Sequence, residues 1–80
     1  MNEDLKFIMS LLGENRKRPL SKSKVGYLAD QNGFSMEKAR LDPLFEQINI
    51  HRIRKPGGYY YEYWYISPYR RKEIKWLLRK

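Results

Sequence analysis

Apolar positions repeat at helical spacing through the first half of the chain, and a two-residue period takes over from about residue 50. Over 3–14, Leu5, Ile8, Met9 and Leu12 fall on one stripe, Phe7 and Leu11 widen it, and Gly13 supplies a stop, which predicts an amphipathic helix. A basic loop from Asn15 to Pro19 follows, and Pro19 blocks helix continuation. Ser21 is placed to cap a second helix over 21–32, with Val25, Leu28 and Ala29 facing inward and Asn32-Gly33 closing it as a turn. Ser35 caps a third helix over 35–48, on which Leu41, Phe45 and Ile48 share a face and Leu44 lies beside them. Pro43 interrupts this helix. Either the helix kinks there, or Asp42 caps a new segment with Pro43 in its first turn.

After residue 50 the pattern is that of strands. Ile50 and Ile53 sit among His51, Arg52 and Arg54, Lys55-Pro56-Gly57-Gly58 makes a turn, and Tyr59 to Ile66 is dense in aromatic strand formers. A hairpin over 50–66 results. Its second strand has two faces: Tyr60, Glu62, Trp64 and Ile66 oppose Tyr59, Tyr61, Tyr63 and Tyr65. Ser67 and Pro68 then open a last helix over 68–79, whose apolar side is Tyr69, Ile74, Leu77 and Leu78, with Trp76 off that stripe. The expectation is one domain over 1–80, mostly α with a β-hairpin (α+β), in the order helix-helix-helix-hairpin-helix.

Charge changes the picture most. The chain carries 17 Lys and Arg against nine Asp and Glu, a net charge of +8, concentrated in residues 16–24 and 51–80 around a faintly acidic middle. Such a field gathers polyanions, and nucleic acid is the usual partner. No apolar run approaches the roughly 20 residues that a membrane span needs, and the acidic start Met1-Asn2-Glu3-Asp4 is unlike a signal peptide, so a cytoplasmic, nucleoid-associated protein is expected, with no membrane partner. With no cysteine and the single histidine His51, no metal site or cofactor is expected. No Ser-His-Asp set and no phosphate-cradling glycine loop is present, so the chain reads as not an enzyme, with no small-molecule substrate.

The stretch Pro19-Leu20-Ser21, then Val25 and Leu28-Ala29, then Gly33-Phe34-Ser35, resembles the helix-turn-helix of winged-helix proteins. The hairpin, with its basic rim and glycine-rich tip, looks like the wing. The resemblance covers roughly residues 3–66. It implies sequence-specific binding of double-stranded DNA by a small transcriptional regulator, the third helix in the major groove and the wing on the backbone. On that helix the face opposite Leu41 and Phe45 holds Met36, Ala39, Arg40, Pro43 and Gln47. Arg40, Gln47, Lys38 and Met36 are therefore the candidate base contacts, with Arg40 suited to guanine and Gln47 to adenine.

Lys22, Lys24, Arg16, Lys17, Arg18, Arg52, Arg54 and Lys55 are the candidate phosphate contacts. Trp76, Leu77 and Leu78 are candidates for a homodimer interface on the last helix. The outward tyrosine row has two readings: packing against the terminal helix or a partner subunit, which is favoured, or stacking on unpaired bases. Alternatives to duplex binding are a winged-helix protein-interaction adaptor, supported by the acidic third helix and the aromatic wing, and a replication-initiation, single-strand or RNA-binding module.

Overall fold

The computed structural model describes residues 1–14 and 18–79. It is an α+β structure of four α-helices and a three-stranded antiparallel sheet. In chain order these are α1 (Glu3–Glu14), β1 (Leu20–Ser21), α2 (Lys22–Gln31), α3 (Met36–Arg40), β2 (Asn49–Arg54), β3 (Tyr60–Tyr65) and α4 (Arg71–Leu78), with 3-10 helices at Pro43–Gln47 and Pro68–Arg70. No helix of the described residues is long and apolar enough to cross a membrane.

Leu5, Ile8, Met9 and Leu12 of α1 form the spine of the core, and none of them is more than 4% exposed. Leu20, Val25, Ala39, Ile48, Trp64, Ile66 and Ile74 close around them, and no polar or charged residue among those described is buried. Asn2 caps α1, its side-chain oxygen accepting from the Leu5 N–H at 2.8 Å. Ser21 caps α2 by accepting from the Lys24 N–H at 3.2 Å.

The end of α2 is a Schellman motif. Phe34 N–H donates to the Ala29 carbonyl at 2.9 Å and Gly33 N–H to that of Asp30 at 3.2 Å, while Gly33 takes the left-handed φ of 78° that such a cap needs. The turn delivers Phe34 onto Phe7, their rings stacked 4.7 Å apart. Gly26 of α2 leaves room for the Met36 side chain of α3, since an added Cβ would stand 3.2 Å from Met36 Cε.

The third helix is shorter than the apolar spacing predicts. It stops at Arg40, and Asp42 caps a separate 3-10 helix that begins with Pro43, accepting from the Leu44 N–H at 2.9 Å. The proline ring would clash inside a continuous helix but is pre-set for a first turn. This break rotates the faces. Leu41, expected inside with Phe45 and Ile48, is 82% exposed, and Ala39, expected on the outer face, is fully buried. Asp42 also receives the Asn2 backbone N–H at 2.6 Å, and the Asn2 side-chain amide donates to the Lys38 carbonyl at 2.9 Å. The start of α1 therefore clasps the break.

The hairpin gains a third strand that its own pattern does not reveal. In the order β1-β3-β2, Leu20 pairs with Trp64 and Ser21 with Tyr63 on one side of β3, and Ile50 pairs with Trp64 and His51 with Tyr63 on the other. Trp64 is fully buried and its ring meets Phe45 edge-on at 5.3 Å, so the even-numbered side of β3 faces the helices. The final helix is also divided. Ser67 and Pro68 open a 3-10 turn in which Tyr69 is almost wholly exposed rather than inward, and α4 seats Ile74 in the core. Helix α4 packs on α1, and Tyr61 and Tyr65 remain exposed, so the row is not covered by the terminal helix as one form of the packing reading had it.

Trp64→Ala should cost about 3–5 kcal/mol in a urea melt, the range for emptying a buried aromatic site, whereas Tyr61→Ala should stay within about 0.5 kcal/mol. Asp42→Ala should cost about 1 kcal/mol through its lost cap.

Candidate nucleic-acid interface

Cations from three separate elements converge on one carboxylate. Glu62 stands opposite Arg52 across the hairpin, and Arg52 Nε donates to its Oε1 at 3.0 Å. Arg40 Nη2, at the end of α3, lies 3.8 Å from the other oxygen. The Arg40 guanidinium also lies 5.3 Å from the Trp64 ring centroid and 5.7 Å from that of Phe45, a cation–π placement on the core's aromatic pair. Trp64 Nε1 donates to Glu62 at 3.4 Å. The hydrogen bond from Arg52 holds the Glu62 carboxyl below its ordinary range. Desolvation opposes this, while the Trp64 indole and the Lys22 ammonium at the start of α2 assist it. Arg40 and Arg52 thus share one carboxylate, and the Lys22 charge acts on it from further off.

The four base-contact candidates do not share one surface. Met36 is half-buried against α2, and Gln47 lies on the 3-10 helix, where its side-chain oxygen accepts from Arg70 at 3.2 Å. Arg40 is engaged with Glu62 rather than projecting freely from the helix. Lys38 is exposed. At helical spacing the position opposite buried Ala39 is taken by Glu37 and Leu41, with Lys38 and Arg40 on either flank. Leu41 is therefore part of the presented surface, where sequence periodicity placed it in the core.

The phosphate-contact candidates divide between two sides of the sheet. Arg52 and Arg54 belong to the Trp64 side by strand alternation, together with Lys22. Lys55 lies on the opposite side, its Nζ 5.3 Å from the Tyr61 ring centroid. Arg18 is on that side too, beside Pro19, His51 and Tyr63. Lys24 is exposed in the first turn of α2. Arg16 and Lys17 lie outside the described residues. Of the dimer candidates, Leu78 packs against the core within its own chain, Leu77 is half-buried, and Trp76 is 58% exposed. No group of three or more residues able to hold a metal ion occurs among the described residues.

Glu62 as a hub escaped the reading of the sequence, yet a signal was available. A turn centred on Gly57 sets position 52 opposite position 62, and an arginine facing a glutamate is the pairing that results.

Because Glu62 titrates lower in the folded chain than in the unfolded one, its pairing stabilises fully above the unfolded value and is lost as pH falls through the folded one. Glu62→Gln should therefore lower stability by up to about 1 kcal/mol at pH 7, and the difference from the parent should close as urea midpoints are measured down to pH 3.

No family model, no curated protein and no solved structure matches the chain.

Proposed function

We propose that the chain is a winged helix-turn-helix domain that binds double-stranded DNA, of the compact transcriptional-regulator type. The observation that carries this reading is the meeting of Arg40 and Arg52, from α3 and β2, on the Glu62 carboxylate, which also feels the Lys22 ammonium at the start of α2. Three elements distant in sequence supply positive charge to one place, and the balance there favours an anionic backbone. The capped α2, the Gly33 turn and the Ser35-capped α3 followed by a hairpin agree with the order that the resemblance implies.

In this reading α3 presents Lys38 and Leu41 to the major groove, where an apolar side chain suits a thymine methyl and lysine a guanine edge. Arg52 and Arg54 lie along the backbone on the wing, and Lys22 and Lys24 meet phosphate at the start of α2. Glu62 holds Arg40 and Arg52 in place until phosphate competes for them. The exposure of Leu41 beside Glu37 favours a second reading, a protein-interaction adaptor, because an apolar residue next to a carboxylate suits a protein surface.

Titration of a duplex against salt separates the two readings. Five exposed cations placed for phosphate, Lys22, Lys24, Arg40, Arg52 and Arg54, should give log K falling with log salt at a slope of about −4.5. Arg52→Ala should reduce that slope by about 0.9. Absence of duplex binding at about 50 mM salt would reject the DNA reading in favour of the adaptor. Selection from a random duplex pool should enrich a defined site, with Leu41→Ala relaxing one position of it.

A further inference from the structure

The side of the sheet turned away from the helices carries a different chemistry from the side with Glu62. Along β3 it shows Tyr61, 50% exposed, half-buried Tyr63, and Tyr65, 36% exposed. Their partners across the ladder are Ile53, His51 and Asn49 on β2, with Ser21 of β1 also opposite Tyr63. Arg18, Pro19 and His51 border a shallow concavity of about 550 Å³ beside Tyr63 and Tyr65. Lys55 stands over the Tyr61 ring at 5.3 Å. Of the residues placed on this face Arg18 and Lys55 are cations, and Glu62, the one acid of the hairpin, points to the opposite side.

We propose that this outer face is a second nucleic-acid site, which takes single strands by stacking unpaired bases on Tyr61, Tyr63 and Tyr65. The spacing decides between ligands. Side chains on one face of a strand repeat every two residues, about 7 Å apart. Stacked bases in a duplex are about 3.4 Å apart along each strand, and their faces are closed to side chains. One base per tyrosine therefore requires a chain drawn out to roughly twice the duplex rise, which an unpaired strand reaches and a duplex does not. Tyrosine supplies a flat ring to any base, so the site is tolerant of sequence. Arg18 and Lys55, at the two ends of the row, are placed for the phosphates between successive bases. An acidic peptide would satisfy the same charges but leave the row of flat rings unused. The site is independent of the duplex reading, since none of its residues belongs to the Glu62 cluster.

The test uses the full chain with fluorescein-labelled 12-mers of dT and of U, and a mixed-sequence 12-base-pair duplex, at a salt concentration at which the parent chain still binds the duplex measurably. Tyr61→Ala and Tyr65→Ala should each weaken single-strand binding about five- to a hundredfold and leave duplex binding unchanged. Tyr61→Phe and Tyr65→Phe, which keep the ring, should bind as the parent does. The dT and U arms separate DNA from RNA. In the parent chain, 2-aminopurine within the single strand should change its fluorescence on binding, a readout that needs no variant to fold. The proposal is overturned if the alanine variants bind single strands as the parent does, if 2-aminopurine shows no stacking, or if the parent is a dimer that Tyr61→Ala converts to a monomer, since a second copy would then cover the face.

Discussion

β3 is the central strand of three, so the side chain at position 64 is enclosed from both flanks, by Leu20 on β1 and Ile50 on β2, as well as by α1 and Phe45 beneath it. Burying the large indole there fixes the register of the strand, because a slip of one residue would put a tyrosine hydroxyl into the core and the indole into water. Everything else on the sheet follows from that choice by parity. Glu62 turns toward the helices, where Arg40 and Arg52 reach it, and Tyr61, Tyr63 and Tyr65 turn away. The separation of an ionic side from an aromatic side is thus a consequence of where one residue packs.

The short α3 rests on a second constraint. Five residues form too little helix to persist alone, since nucleation is costly and few bonds repay it. It is held from outside. Ala39 is fully buried in the core that α1 anchors, the Asp4 side chain accepts from the Ser35 N–H at 2.7 Å, and Asn2 bridges α1 to the Lys38 carbonyl and to Asp42. The hydrogen bonds from Leu44 and Asn2 hold the Asp42 carboxyl below its usual range, so it stays ionised into more acid conditions than a free aspartate. The presented surface of α3 is therefore set by the first four residues of the chain, far from it in sequence.

Local signals were legible wherever they were decided locally. The stripe of α1, the caps at Ser21 and Ser35, the turn at Gly33 and the two-sided pattern of β3 can be read from spacing alone. The break after Arg40 was legible only as a choice, since Pro43 fits both a kink and a fresh start. The Asp42 cap, supported by Asn2 from 40 residues away, takes the second option. Once the break falls there, the facing of Leu41 and Ala39 inverts, and the base-contact set drawn on a continuous helix disperses. β1 was not legible because two residues, Leu20 and Ser21, are too few to show alternation. They pair only because the loop before α2 runs along β3. The division of cations between two faces likewise needs the hairpin register, which becomes available once the turn centre at Gly57 is known.

The position of β2 accounts for the choice of side chains around it. It is an edge strand, with one row of backbone groups unpaired, and such an edge invites another chain to add to it. A hairpin bearing Ile50 and Ile53, both more than a third exposed, next to a row of aromatics is the composition that aggregates. His51, Arg52, Arg54 and Lys55 charge or polarise that same edge, and a second copy approaching it meets a like field from a chain of net charge +8. Tyrosine in place of phenylalanine keeps each outward ring hydrated at its rim. The cations that the proposed functions require are thus the same ones that let an aromatic sheet face remain open to solvent. Arg52 and Arg54 guard the edge from the Trp64 side, so the outer tyrosines can be replaced without removing that protection.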